Sequence, residues 1–271
     1  MENRNITITM LGTGSALVTR CYNTCFVLDA GEGRMLVDAG GGNGVLAQLE
    51  KAKIDIRSIH YAFITHGHTD HILGMIWIVR KIAQMMHSGI YDGDFALYGH
   101  DEAIGMLDTF CKMSIPQKFY KYVGSRIAFK VVDDRQQWNC VGCHFTAFDI
   151  MSKKTKQYGF SAILPDGRKL VCLGDEPYNP IVGDVACDAD WLMSEAFCLY
   201  AQRDVYKPYE KYHSTALDAG RVAEELHAKN LLLYHTEDDN LNVRAQIYAK
   251  EAAQNFSGNI VVPDDLQTVV L

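Results

Sequence analysis

Proline is scarce, at 6 of 271 residues, and nowhere does it join glycine and serine in a linker-like stretch. That excludes a collagenous or low-complexity chain. Positive charge is also in deficit, with 26 Lys and Arg against 33 Asp and Glu for a net charge of −7. A protein that tracks a nucleic-acid backbone needs a basic face, so the balance argues against an extended one and leaves a local patch open. Long apolar runs are missing. The longest candidate, Ile72 to Ile82, is broken by Gly74, Arg80 and Lys81 and falls short of the roughly 20 residues that cross a bilayer, so no membrane partner is expected. Met1-Glu2-Asn3-Arg4-Asn5 leads straight into the alternation Ile6-Thr7-Ile8-Thr9, without the apolar core of a secretory signal. Eight cysteines in such a chain read as reduced thiols, and a cytoplasmic protein is expected. With no internal boundary in composition, residues 1–271 read as one domain, long enough to bury a core without staples.

What is present reads first as strands. Ile6–Met10 runs into Leu11-Gly12-Thr13-Gly14-Ser15. Thr24–Leu28 and Arg34–Val37 flank the turn Gly31-Glu32-Gly33, a hairpin signature. Residues 43–52 predict a helix, Tyr61–Thr65 a buried strand, and Ile72 to about Met86 a buried helix. The second half repeats the plan: Tyr158–Leu164 and Lys169–Leu173 flank Pro165-Asp166-Gly167, followed by a helix over 214–228 and a strand Leu231–Tyr234. Gly33-Arg34-Met35-Leu36-Val37-Asp38-Ala39-Gly40 is similar to Gly167-Arg168-Lys169-Leu170-Val171-Cys172-Leu173-Gly174, and Ile64-Thr65-His66 to Leu233-Tyr234-His235. Two related β-rich halves packed face to face, with strand ends meeting at one edge, are expected.

The chemistry centres on Thr65-His66-Gly67-His68-Thr69-Asp70-His71, where four potential metal ligands fall within six residues between a strand and a helix. Neutral imidazole and carboxylate are ligands that Zn²⁺ takes in catalytic sites, and Mn²⁺ and Fe²⁺ suit the same set. The plain structural alternative is a polar helix cap by Thr69 or Asp70. It accounts for the aspartate but not for three clustered histidines. Asp175 ends an apolar strand, where its carboxylate could bridge two cations or be an ordinary turn residue. His235 ends another strand. Asp38, before three glycines, could be a turn residue or could orient a ligating histidine. As a set at strand ends the three gain weight.

Together these residues resemble the metallo-β-lactamase superfamily, whose hallmark matches His66-Gly67-His68-Thr69-Asp70-His71, and whose order is followed by Asp38, that motif, Asp175 and His235. Within it, Leu11-Gly12-Thr13-Gly14-Ser15, Glu195-Ala196-Phe197 and His213-Ser214-Thr215-Ala216 resemble the ribonuclease Z branch. The resemblance implies an α/β fold, a four-layer αββα sandwich with two divalent metal ions between the sheets, zinc by default. His66, His68 and Asp175 would hold one, and Asp70, His71, Asp175 and His235 the other. His213 would protonate the leaving oxygen and Glu195 would orient it, with Asp70 also in the catalytic group. His213 as a bare neighbour of a helix cap is the bland alternative.

Three departures qualify the resemblance. Ser152 stands where the branch has a further ligand histidine, and His144, eight positions earlier, is displaced too far along its strand to replace it. The first metal site is therefore expected to be weak, empty or water-completed. Only 22 residues lie between Ser152 and Asp175, too few for the long tRNA-gripping arm of ribonuclease Z. Ser194 replaces the histidine that usually opens the acidic motif.

Weaker signals have plain readings. Gly12-Thr13-Gly14-Ser15 lacks the lysine of a phosphate loop and reads as a tight turn. Cys140-Val141-Gly142-Cys143 is a lone CxxC, for which a structural zinc or a redox role is the minor reading. The aromatic and Met-rich 90–130 stretch reads as core, and Lys153, Lys154 and Lys156 as a solvated loop or a phosphate attractor. The expectation is a metal-dependent hydrolase that uses metal-activated water, a phosphodiesterase acting on a small or short phosphodiester. A genuine tRNA 3′-processing endoribonuclease, a hydrolase of carboxylic esters, thioesters or lactones, and a non-catalytic metal-binding scaffold are the alternatives. RNA as a ligand and a homodimer stay open.

Overall fold

Strand residues that alternate between two apolar environments are buried on both faces, and the first three strands show this directly. Ile8, Met10, Phe26, Leu28, Met35 and Val37 face one core, while Leu11, Cys25, Val27 and Leu36 face another. The computed structural model describes residues 5–271; Met1–Arg4, expected to lead directly into the first strand, lie outside the described residues. In chain order the strands are β1 (Thr7–Gly12), β2 (Cys25–Asp29), β3 (Arg34–Val37), β4 (Ile59–Ile64), β5 (Phe95–Gly99) and β6 (Ile127–Val131), then β7 (Gln137–Cys140), β8 (Cys143–Asp149), β9 (Tyr158–Ile163), β10 (Lys169–Cys172), β11 (Trp191–Glu195), β12 (Asn230–Tyr234), β13 (Asn259–Val261) and β14 (Thr268–Val270). They form two seven-stranded sheets, β14-β1-β2-β3-β4-β5-β6 and β13-β12-β11-β10-β9-β8-β7.

Both sheets follow one plan. Three antiparallel pairings lead into three parallel ones, pivoting on β3 in the first sheet and on β10 in the second. Those pivots carry the two similar segments read in the sequence. The histidine likeness is different. β4, which leads to His66, corresponds in position to β11, which ends at Glu195, and β12, which leads to His235, corresponds to β5, which leads to His100. An apolar strand followed by histidine is too short a signal to fix strand order, and it paired elements one strand out of step.

The sheets pack through a core that includes Phe63, Phe145, Phe160, Met193 and Leu232. Helices Gly44–Lys51, Thr69–His87 and Asp101–Ser114 cover the outer face of the first sheet, and Ala216–Glu225 and Arg244–Ala252 that of the second, giving the αββα sandwich. Burying such side chains contributes about 1.5–3 kcal/mol each. Within the 90–130 stretch, Tyr91, Phe95 and Phe119 are buried and Phe110, Tyr120 and Tyr122 pack against the same core; Met113 is exposed.

Two glycines fix how the site is assembled. A Cβ on Gly74 would lie 1.8 Å from the Ala39 carbonyl oxygen, so only glycine lets the helix Thr69–His87 press onto the loop after β3. Its N–H donates to the Gly40 carbonyl at 2.8 Å. Gly174, at φ 88°, supplies the left-handed turn that carries the chain from β10 into Asp175.

Candidate functional site

Parallel strands in an open sheet deliver their loops to one edge, where ligands bind. Here the ends of β3, β4, β10, β11 and β12 deliver Asp38, His66, Asp175, Glu195 and His235 to the seam between the sheets. His66, His68 and Asp175 form one group of potential ligand atoms, and Asp70, His71 and His235 a second; within each group the atoms lie within 4.8 Å of one another. Asp175 is the hub between them. Its Oδ2 lies 3.6 Å from His66 Nε2, 3.5 Å from His71 Nε2 and 3.6 Å from His235 Nε2.

The far nitrogens of three rings are anchored. His71 Nδ1 lies 2.7 Å from Asp38 Oδ2, His66 Nδ1 2.9 Å from the Thr65 hydroxyl, and His235 Nδ1 3.1 Å from the Thr24 hydroxyl. Those hydroxyls donate onward, Thr65 to Asp38 and Thr24 to the Gly14 carbonyl. Each hydroxyl can therefore accept from its ring, an arrangement that puts the proton of neutral His66 and His235 on Nδ1 and turns their Nε2 toward Asp175.

The charges point the same way. Burial drives His66 well below the usual imidazole range and His235 down to about 3, despite the nearby Asp175 carboxylate. Burial opposes ionisation of Asp70 and Asp175, yet neighbouring imidazoles hold both below the ordinary carboxylate range, His71 for Asp70 and His66 with His71 and His235 for Asp175. His71 is the exception among the rings: burial resists its charge, but Asp70 and Asp38 outweigh it and hold the proton. Its Nε2 nonetheless has no hydrogen-bond partner. A buried cluster of ionised carboxylates, neutral imidazoles and an unpartnered ring nitrogen fits divalent cations.

Glu195 and His213 lie alongside. Glu195 Oε2 is 3.6 Å from His213 Nδ1 and accepts the Phe197 N–H at 3.1 Å, while Oε1 accepts the Ser214 N–H. The His213 ring stacks on Phe197, centroids 4.9 Å apart, and stands 5.4 Å from the His235 ring. Helix capping is done by Thr215 and Asp218, which leaves His213 to face the site. Burial lowers its proton affinity, but the Glu195 carboxylate more than compensates and raises it. Glu195 itself is raised by burial.

A cavity of about 630 Å³ runs over this cluster, lined by His68, Asp70, Lys154, Asp175, His213 and His235 among others. A smaller one of about 290 Å³, with Phe197, Tyr206 and Glu237 in its wall, shares His213 with it.

Ser152 joins neither ligand group; its hydroxyl donates to Glu176 Oε1 at 2.7 Å. His144 is exposed and pairs with Asn139. The other Asp175 carboxylate oxygen, Oδ1, accepts from the buried Gln157 side-chain amide, whose nitrogen also lies 3.3 Å from His66 Nδ1. Gln157, Thr24 and Glu176 were not singled out in the sequence. Glu176 had a local signal in its adjacency to Asp175, and Gln157 in directly preceding Tyr158-Gly159-Phe160, whereas Thr24 had none. Ser194 is buried in β11, its hydroxyl on its neighbour's carbonyl. The N–H groups of Thr13, Gly14 and Ser15 bond to Tyr22 and Thr236 carbonyls, so this segment is a tight turn and not a phosphate cradle. Cys140 and Cys143 close the β7–β8 hairpin inside the core, their thiols pushed up to about 12 by burial. Among the described residues, no helix is long and apolar enough to cross a membrane.

Comparison with known proteins agrees with this fold. The chain is 24% identical over 310 aligned positions to a ribonuclease Z from Phocaeicola vulgatus, covering 95% of each. Its structure is similar to that of the metallo-β-lactamase fold protein YhfI from Bacillus subtilis (TM-score 0.76, 19% identity, 98% and 99% of the chains covered). It is likewise similar to the short form of human tRNase Z (TM-score 0.73, 22% identity, 97% and 98% covered). The profile of the family described as Anti-Pycsar protein Apyc1 matches residues 6–256, and on that match the chain belongs to this family, built on the metallo-β-lactamase fold and similar to ribonuclease Z.

Proposed function

We propose that the chain is a metal-dependent phosphodiesterase acting on a small or short phosphodiester, with residues 1–271 working as one domain. The observation that carries this reading is the pairing of a protonatable His213, backed by Glu195, with a two-group ligand cluster in one cavity. His66, His68 and Asp175 would hold one divalent cation, and Asp70, His71, Asp175 and His235 the other, zinc by the N/O donor set. When bound, such cations acidify water from about 15.7 toward 7 and polarise a phosphoryl oxygen. The chain's residues do the remainder. Asp38, Thr65 and Thr24 hold the imidazoles in the tautomer that presents Nε2. Glu195 keeps a proton on His213, and His213 gives it to the leaving oxygen.

A small substrate is supported by the interval between Ser152 and Asp175, which holds only a turn and the β9–β10 hairpin. The ribonuclease Z alignment, at 310 positions, is longer than this 271-residue chain, so the relative carries residues absent here.

The test is hydrolysis of bis(p-nitrophenyl) phosphate by protein reconstituted with Zn²⁺ or Mn²⁺. Turnover that chelation abolishes, and that His213→Ala lowers at unchanged metal content, is the expected result. Silence with two equivalents of metal bound refutes the reading. Hydrolysis of a thioester unaffected by loss of His213 points instead to the carboxylic-ester class.

A further inference from the structure

The turn that replaces the expected ligand histidine is built around Ser152 and Glu176 and carries a lysine to the site. Ser152 Oγ donates to Glu176 Oε1 at 2.7 Å and accepts the N–H groups of Lys154 and Thr155 at 3.1 and 3.2 Å. The Lys153 N–H reaches Glu176 Oε2 at 3.3 Å. Glu176 is buried and directly follows Asp175, so this turn is tied to the hub of the cluster. Of the three neighbouring lysines, the turn aims one at the site. Lys156 pairs with Asp101 at the surface, and Lys153 is exposed. Lys154 as a residue is also solvent-exposed, but its side chain, 22% exposed, reaches over the site, with Nζ 3.4 Å from His213 Nε2 and 3.6 Å from Glu176 Oε1. It lines the large cavity together with His68, Asp70, Asp175, His213 and His235.

We propose that Lys154 is the substrate-anion anchor of this site: its ammonium takes a non-bridging oxygen of the phosphodiester and selects anionic over neutral esters. The proposal rests on the phosphodiesterase reading for its substrate and on this turn for its position. An ammonium has three donors; one points at His213 Nε2 at 3.4 Å, and the contact with Glu176 is longer than a hydrogen bond. The Glu176 oxygens already accept from Ser152 and Lys153. Donor capacity is therefore left for an oxygen in the cavity, next to the imidazole that serves the leaving group. Ser152 thus marks a change of role, in which a neutral ligand is exchanged for a turn that presents positive charge. Lys211, the other lysine of the cavity wall, sits 5.1 Å over the Phe197 ring instead.

The test compares zinc-loaded wild type, Lys154→Met, Lys154→Arg and Lys153→Met. Binding of inorganic phosphate is measured by calorimetry, and kcat/KM on bis(p-nitrophenyl) phosphate and on neutral p-nitrophenyl acetate, with zinc content by mass spectrometry. Loss of one charge-assisted hydrogen bond predicts about a ten- to hundredfold weaker phosphate affinity for Lys154→Met. Zinc content and any acetate hydrolysis stay unchanged, Lys154→Arg recovers most of the loss, and Lys153→Met matches wild type. Phosphate affinity that Lys154→Met leaves intact overturns the proposal, whatever the activities. If wild type ignores the diester while phosphate binding still depends on Lys154, the anion site stands and the phosphodiesterase reading falls.

Discussion

Replacing Asp38 with asparagine changes one heavy atom and should cost the site much of its hold on metal. Asp38 Oδ1 accepts the Thr65 N–H at 2.9 Å, and Oδ2 accepts both the Thr65 hydroxyl and His71 Nδ1–H at 2.7 Å. An amide has one oxygen and one NH₂ and cannot accept on both sides. With its oxygen toward the Thr65 backbone, the NH₂ meets His71 Nδ1, whose proton must move to Nε2, the nitrogen a cation needs. With the amide turned over, NH₂ opposes the Thr65 N–H, donor against donor. Either arrangement strands a buried polar group, at about 1–3 kcal/mol, which corresponds to a loss of about ten- to a hundredfold in metal affinity. Competition for Zn²⁺ against a chromophoric chelator reads this directly, with circular dichroism confirming the fold. The expected result is weaker binding at both sites, with the larger loss at the one His71 serves, because Asp38 also fixes the Thr65 hydroxyl that anchors His66. Wild-type affinity at both sites would refute the claim that Asp38 sets the His71 tautomer.

Three other outcomes follow from the same contacts. Glu195 is what raises His213, so activity that needs protonated His213 fades as pH rises through its pKa. Glu195→Gln should move the alkaline limb of kcat/KM to lower pH, and a stationary limb on a pH–rate profile counts against the pair. Arg244 is buried, and its guanidinium reaches Thr13, Thr236, the Pro263 carbonyl and Asp264 at 2.8–3.0 Å. Asp264 is itself exposed, so Arg244→Met strands the buried Pro263 carbonyl and threonine hydroxyls but no buried charge, and should cost about 1–3 kcal/mol; at about 2.1 cal/mol/K per residue this lowers Tm by roughly 2–5 °C in calorimetry, and an unchanged Tm contradicts it. The double change Cys140→Ser, Cys143→Ser should leave zinc stoichiometry untouched, because both thiols face the core; loss of a metal equivalent by elemental analysis would restore a structural zinc there.

The legible parts of the site were those compressed into short sequence. His66, His68, Asp70 and His71 sit on one strand-to-helix turn, so their convergence is local geometry. Asp175 and His235 were readable as strand ends because parallel strands must deliver their ends to one edge. Thr24, by contrast, orients His235 across 211 positions, and only the packed sheets bring the two together. Gln157 and Glu176 act by touching Asp175 and Ser152, contacts that depend on how the turn after β8 folds back. The repeat was legible at its hairpins, where turn chemistry fixes register, and was misaligned at the histidines, where an apolar strand ending alone had to carry the match.

The placement of the proposed ligands on both sides of the seam has a consequence for how long the molecule lasts. Asp38 and His66 through His71 belong to one sheet and its helix, and Asp175 and His235 to the other. A cation held by both acts as a rivet, and its binding free energy is also folding free energy. At a thousandfold excess over its dissociation constant it adds about 4 kcal/mol against unfolding. Cellular half-life would then follow the free-metal level, with starved molecules parting along the seam and meeting proteases before their charged counterparts do.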